Sequence, residues 1–122
     1  MNKSRILVVE DEINQGLLYE QELSDEGYDV DVANSGQEAL NLVKDIEYNL
    51  VVLDIGMADM DGLETLGRML SMDNKLPVIL NTAYPSYKDN FMSWAADAYV
   101  IKSSDLTELK TKIKESLEKN SA

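Results

Sequence analysis

The chain contains no cysteine and no histidine. Those absences exclude disulfide staples, thiolate and imidazole metal sites, cysteine nucleophiles and every histidine-based triad. Any chemistry must therefore use carboxylates, hydroxyls, lysine and backbone groups. Positive charge is scarce too: 11 basic residues stand against 23 acidic ones, a formal net charge of -12 over 122 residues. A surplus of that sign repels phosphate backbones and anionic lipid surfaces. The expectation is no direct binding of nucleic acid and no membrane association, with cations and basic protein surfaces as partners. Long apolar runs are missing as well. The first, Ile6 to Val9, is far shorter than a signal-peptide core or membrane span, which makes the cytoplasm the expected location. Linkers, repeats and low-complexity segments are likewise absent. With 44% apolar residues the chain can close one hydrophobic core, so residues 1–122 read as one domain.

What is present is a set of short apolar runs. Ile6-Leu7-Val8-Val9, Leu50-Val51-Val52-Leu53, Pro77-Val78-Ile79-Leu80 and Ala98-Tyr99-Val100-Ile101 read as strands of a parallel sheet buried on both faces. Tyr28 to Ala33 alternates polar with apolar and reads as an edge strand. Helical spacing fills the gaps: Ala39, Leu40 and Val43; Leu63, Leu66 and Leu70; Leu106, Leu109, Ile113 and Leu117. Ser35 and Asp105 are candidate helix caps, and Gly27 ends a first helix that starts near Ile13. In that first helix Leu17, Leu18, Tyr19 and Leu23 do not settle on one face. Strand and helix thus repeat five times, which gives an open, doubly wound α/β domain with a five-stranded parallel sheet and five helices. Such sheets carry their sites beyond the carboxyl ends of the strands.

The residues at those ends are Glu10 and Asp11 after the first strand, Asp54 after the third, Thr82 near the end of the fourth and Lys102 after the fifth. Taken singly, each has an ordinary reading as a turn, a helix cap or an exposed polar side chain. Their coincidence at successive strand ends does not. Two ionised carboxylates about 4 Å apart repel by about 4 kcal/mol at an effective dielectric near 20, so grouping three of them requires a cation. All-oxygen ligands point to a hard divalent ion such as Mg²⁺, which can also neutralise a phosphoryl oxygen during transfer, while Lys102 and Thr82 hold others.

Through Ile6-Leu7-Val8-Val9-Glu10-Asp11-Glu12, Asp54-Ile55-Gly56-Met57, Met60-Asp61-Gly62-Leu63-Glu64, Thr82-Ala83 and Tyr99-Val100-Ile101-Lys102, the chain resembles the receiver domains of bacterial two-component response regulators over essentially its whole length. The resemblance implies a flavodoxin-like sheet of order 2-1-3-4-5. It makes Asp54 the acceptor of a phosphoryl group from a sensor kinase phosphohistidine or a phosphotransfer protein. Glu10, Asp11, Asp54 and the backbone carbonyl of Gly56 become the Mg²⁺ ligands. It also implies a switch, in which Thr82 moves toward the phosphoryl group while Tyr99 turns inward. That movement remodels a face spanning roughly Tyr87 to Leu117, of which Trp94 is either core or part, and so signals to a downstream effector protein or domain.

Several positions depart from the family pattern. Ala58, Ala95 and Ser103 stand where proline, glycine and proline are common. A cis bond before Ser103 would cost about 2.5 to 4 kcal/mol, far more than before proline, and this bears on the placement of Lys102. Gly56 and Tyr84 occupy the variable positions that tune phosphoryl lifetime in the family. Neither supplies a carboxylate or amide to orient water, so the expectation is slow self-dephosphorylation without enzymatic turnover, with Tyr84 as a shield. The alternatives are a pseudo-receiver that binds proteins without being phosphorylated, a phosphohydrolase of the haloacid-dehalogenase type and a flavin carrier. The intact residue set speaks against the first. The second requires a paired Asp-x-Asp after the first strand, and the third a glycine- and hydroxyl-rich loop where Glu10-Asp11-Glu12 stands. The chain reads either as a standalone regulator or as a receiver cut from a longer chain, and the start at Met1 and the polar end at Glu118 to Ala122 favour the former slightly.

Overall fold

The computed structural model describes residues 3–56, 62–83 and 96–120. Within them the order is β1 (Arg5–Val9), α1 (Ile13–Asp25), β2 (Asp29–Ala33), α2 (Gly36–Asp45), β3 (Leu50–Leu53), α3 (Gly62–Met72), β4 (Val78–Thr82), β5 (Ala98–Ile101) and α4 (Thr107–Asn120). All neighbouring strands pair in parallel, in the order β2-β1-β3-β4-β5. Five helices are expected from the sequence and four are described. The remaining one falls on residues 84–95, which lie outside the described residues together with Tyr84, Tyr87, Trp94 and Ala95. Ala58 lies outside them as well.

The two-residue period of the strands builds two core layers. Leu7 and Val9, with Val51, Leu53, Val78 and Leu80, face Ala39, Leu40, Leu63, Leu66 and Met69 from α2 and α3. Ile6 and Val8, with Leu50, Val52, Ile79 and Val100, face Tyr19, Leu23, Leu109 and Ile113 from α1 and α4. Full burial of each such side chain contributes about 1.5–3 kcal/mol, so the sheet is fixed from both sides.

Local signals set the helix ends. The Ser35 hydroxyl accepts from the Glu38 N–H at 3.0 Å and caps α2 as expected. Asp105 accepts from the Thr107 N–H at 2.9 Å at the start of α4. After α1, Gly27 adopts φ 98°, a left-handed conformation that a side chain would disfavour. The ambiguous apolar residues of α1 also resolve. Gly16, Tyr19 and Leu23 form its buried face, while Ile13, Leu17 and Leu18 point to solvent. Full burial of the β5 run is not realised: Val100 is buried, but Ala98 and Tyr99 are half-buried and Ile101 is exposed, because β5 is an edge of the sheet.

Candidate functional site

Parallel pairing brings the carboxyl ends of all five strands to one edge, and the hydrogen-bond ladder continues one residue beyond the strands to hold the polar residues there. Glu10 N–H donates to the Ala33 carbonyl at 2.9 Å, Asp54 N–H to the Val9 carbonyl at 3.1 Å and Lys102 N–H to the Thr82 carbonyl at 2.8 Å. Asp54 is thereby held beside Glu10, between β1 and β3, where the order of the sheet reverses direction.

The side chains converge. The Lys102 ammonium donates to Glu10 Oε1 at 2.5 Å, to Gln15 Oε1 at 3.0 Å and to Asp54 Oδ2 at 3.3 Å. The other oxygens are also held: Glu12 N–H donates to Glu10 Oε2 at 3.2 Å, and Gly56 N–H donates to Asp54 Oδ1 at 3.1 Å. Glu10, Asp11 and Asp54 each present a carboxylate oxygen, and these three atoms lie within 4.8 Å of one another. Thr82 is fully buried at the end of β4. Gly56 is exposed, two residues beyond Asp54. Tyr99 is half-buried in β5 and packs against the core layer of α2 and α3.

Electrostatically the cluster is short of positive charge. Burial pushes the Glu10 carboxyl above its ordinary value, and the charge of Asp54 pushes the same way against the bond from Lys102. Burial acts to lower the Lys102 ammonium, but the bond to Glu10 and the charges of Asp54 and Glu10 outweigh it and raise the value. Both groups therefore hold protons more tightly than in water. An all-oxygen carboxylate set of this spacing fits a hard divalent cation such as Mg²⁺.

Gly62 acquires a spatial role that the motif alone does not reveal. A Cβ on it would stand 2.4 Å from both the Asp54 carbonyl oxygen and Ile55 Cα. Its N–H donates to the Ile55 carbonyl at 2.9 Å, so the start of α3 presses directly on the backbone that carries Asp54. No peptide bond among the described residues is cis, that between Lys102 and Ser103 included.

A model of the response regulator receiver domain matches residues 6–114. The chain belongs to the response-regulator receiver family. Among curated proteins, the uncharacterized transcriptional regulatory protein YkoG of Bacillus subtilis is 37% identical over 122 residues, which cover 98% of this chain and 54% of YkoG. The chain thus spans about half the length of that relative, and only 25% of the regulatory protein AtoC of Escherichia coli. The structure of the response regulator TrrA of Thermotoga maritima in complex with Mg(2+)-BeF superposes with a TM-score of 0.90 at 45% identity, covering 93% of this chain and 98% of that one. A second structure, of TrrA in complex with the histidine kinase ThkA, gives 0.88 at 46% identity with the same coverage. The protein is accordingly a receiver domain of the two-component response-regulator type, a signalling domain. Among the described residues no helix is long and apolar enough to cross a membrane.

Two receiver-site features went unassigned in the sequence. Gln15 reaches Lys102 from the first turn of α1, and the Tyr19 side chain meets that of buried Asn81; burial raises the tyrosine hydroxyl above its ordinary value, and the Asn81 contact offsets part of that rise. Neither has a local signal. Both contacts join segments far apart in the chain.

Proposed function

We propose that residues 1–122 form one cytoplasmic receiver domain that takes a phosphoryl group on Asp54 in a Mg²⁺-dependent transfer from a sensor histidine kinase or phosphotransfer protein. The observation that carries the reading is the meeting of Glu10, Asp11 and Asp54 with the Lys102 ammonium at the carboxyl edge of the sheet. An Asp54 carboxylate oxygen attacks phosphorus, the bond from phosphorus to the donor nitrogen breaks, and an acyl phosphate forms. Glu10, Asp11, Asp54 and the Gly56 carbonyl would hold Mg²⁺, which when bound neutralises charge on the transferring group. Gly56 N–H orients the Asp54 carboxylate, and Lys102 offers its charge to a phosphoryl oxygen. Turnover is confined to slow self-dephosphorylation, so the domain is an acceptor and not an enzyme.

Thr82 and Tyr99 lie on β4 and β5, which pair directly, Leu80 beside Tyr99 and Thr82 beside Ile101. Movement of the Thr82 hydroxyl toward the phosphoryl group, with Tyr99 turning inward, would carry the modification to the surface around β5 and α4 and so to an effector protein or domain. The similarity to TrrA, which has been solved in complex with the histidine kinase ThkA, and the exposed apolar Ile13, Leu17 and Leu18 of α1, which begins two residues after Asp11, support docking of the phosphodonor protein beside the site. Intact mass after incubation with Mg²⁺ and acetyl phosphate tests the reading. Gain of one phosphoryl group, abolished by Asp54→Asn and by a chelator, is expected. A folded wild type that stays unmodified would overturn it in favour of a phosphorylation-independent binding module.

A further inference from the structure

The three N–H bonds of the Lys102 ammonium have three acceptors: Glu10, Asp54 and Gln15. Two of these have other work in the reaction proposed above. Glu10 belongs to the carboxylate set suited to a divalent cation, and Asp54 is the group to be phosphorylated. Once both are engaged, each carboxylate that now holds Lys102 is shared with a dication or altered by the new bond. The Gln15 amide oxygen has no such competing demand. It is neutral, so it attracts a cation less than a carboxylate does, and it forms no bond to phosphorus.

The surroundings make this contact the side chain's remaining constraint. The backbone of Lys102 is pinned to β4 through its N–H bond to Thr82, but four rotatable carbons separate that anchor from the ammonium. A cleft of about 330 Å³ opens beside it, lined by Gln15, Leu18, Tyr19, Lys102, Ser103 and Ser104. An ammonium released by Glu10 has room to swing into that cleft. Gln15, on the first turn of α1, lines the cleft, and its amide oxygen holds the ammonium at 3.0 Å while the same ammonium reaches Glu10 and Asp54. Position 15 is exposed on its helix, so its side chain is not needed for the core.

We propose that Gln15 is a positioning residue for phosphoryl transfer, which keeps the Lys102 ammonium aimed at Asp54 when Glu10 is engaged by the metal. This deepens the receiver reading and rests on it. Gln15 touches neither Asp54 nor the phosphoryl donor in this role and acts only through Lys102.

The test is a double-mutant cycle on the full chain. Gln15→Leu removes the acceptor at nearly constant volume, Gln15→Glu restores an acceptor, and each is combined with Lys102→Met. Phosphorylation is followed by intact mass against acetyl phosphate concentration, with Mg²⁺ affinity measured separately by calorimetry. Gln15→Leu is expected to lower the limiting rate constant about tenfold, the scale of one hydrogen bond to a charged group, with the half-saturating acetyl phosphate concentration unchanged. Gln15→Glu should recover most of that rate. In the Lys102→Met background Gln15→Leu should have no further effect. Melting temperatures of the two Gln15 variants should match wild type, as expected at an exposed helix position.

A Gln15→Leu rate within about twofold of wild type, less than any hydrogen bond to a charged group is worth, would overturn the proposal while leaving the receiver reading intact. So would an equal loss in the Lys102→Met background, because Gln15 would then act independently of the lysine. A wild type that takes no phosphoryl group would overturn both readings together.

Discussion

Replacing Lys102 by methionine removes the ammonium while keeping much of the side chain's apolar stem, and the structure gives the consequence both a size and a direction. The lysine side chain is 17% exposed, and its two carboxylate partners are 2% exposed at Glu10 and 9% at Asp54. Loss of one partner from a buried ion pair costs about 3–5 kcal/mol, because the remaining charge is left without compensation. Glu10 can relieve part of this by taking a proton, since its carboxyl is already raised by burial. The lower end, about 3 kcal/mol, is therefore expected for metal-free protein near neutral pH. The sign with pH follows. An acid raised in the folded state favours folding fully below its unfolded value, and that contribution is lost as pH rises through the folded value. The deficit of Lys102→Met should thus shrink as pH falls toward 4.5, the ordinary value for Glu10. The substitution acts oppositely on metal binding and on chemistry. Without the competing ammonium the cluster should bind Mg²⁺ at least about tenfold more tightly, and saturating metal should return about 2.7 kcal/mol at a hundred times the dissociation constant. Phosphorylation by acetyl phosphate should nevertheless slow. Denaturant melts with chelator and with Mg²⁺, together with calorimetric titration, read all three effects. Unchanged metal affinity together with a stability loss below about 1 kcal/mol would show that Lys102 does not neutralise this cluster.

Two glycines separate stability from site geometry. Gly62→Ala places a Cβ 2.4 Å from backbone atoms of Asp54 and Ile55, so it should cost about 1–3 kcal/mol and also depress the phosphorylation rate by displacing the Asp54 backbone. Gly27→Ala forces a side chain onto φ 98°, far from the site, so roughly 1–2 kcal/mol should be lost in denaturant melts with phosphorylation unchanged. Equal phosphorylation rates in the two variants would deny Gly62 its part in holding Asp54. A third prediction concerns Tyr48, whose hydroxyl donates to Asp31 at 2.8 Å and is raised above its ordinary value by burial and by that acidic partner. Its contribution to stability should be complete below pH 10 and be lost as pH rises through the folded value. Tyrosinate absorbance of wild type and Tyr48→Phe should therefore coincide through the first part of an alkaline titration; an early difference between them would show that Tyr48 ionises freely.

The parts of the fold that were legible in the sequence are those set by local pattern. Strand runs, the Ser35 cap, the Gly27 stop and the strand-end positions of Glu10, Asp11, Asp54, Thr82 and Lys102 each need only their neighbours. The faces of α1 were not legible, because an apolar residue carries no mark of which apolar surface it meets. Leu17 at 57% and Leu18 at 47% exposure look the same in sequence as buried Leu23. The β5 run read as buried on both faces for a similar reason: unlike the alternating β2 run it is apolar throughout, and only the pairing order shows that it lies at a sheet edge. Gln15 was missed because its partner lies 87 residues away, and an amide on a helix surface is ordinary by itself. Gly62 was visible within its motif, but its reason, contact with the backbone of β3, appears only when the two segments are brought together.

Ser103, where the family commonly has proline, changes how the lysine is supported. Proline would fix the loop covalently. Here Asp105 N–H donates to Ser103 Oγ at 3.1 Å, and both the N–H and the hydroxyl of Thr107 donate to Asp105 Oδ1, at 2.9 and 2.6 Å. These bonds lead the chain directly into α4, but all are exposed, where each contributes only about 0.5–1.5 kcal/mol. A loop held so lightly cannot by itself fix the end of a long side chain. Constraint on the ammonium must come from the groups it contacts: two carboxylates that also belong to the candidate metal cluster, and one amide that does not. Support that proline would supply through the backbone is therefore supplied here through the side chain, across the gap between β5 and α1. It follows that phosphorylation in this chain should respond more strongly to changes on the first turn of α1 than to Ser103→Ala, which leaves the Lys102 side-chain contacts untouched.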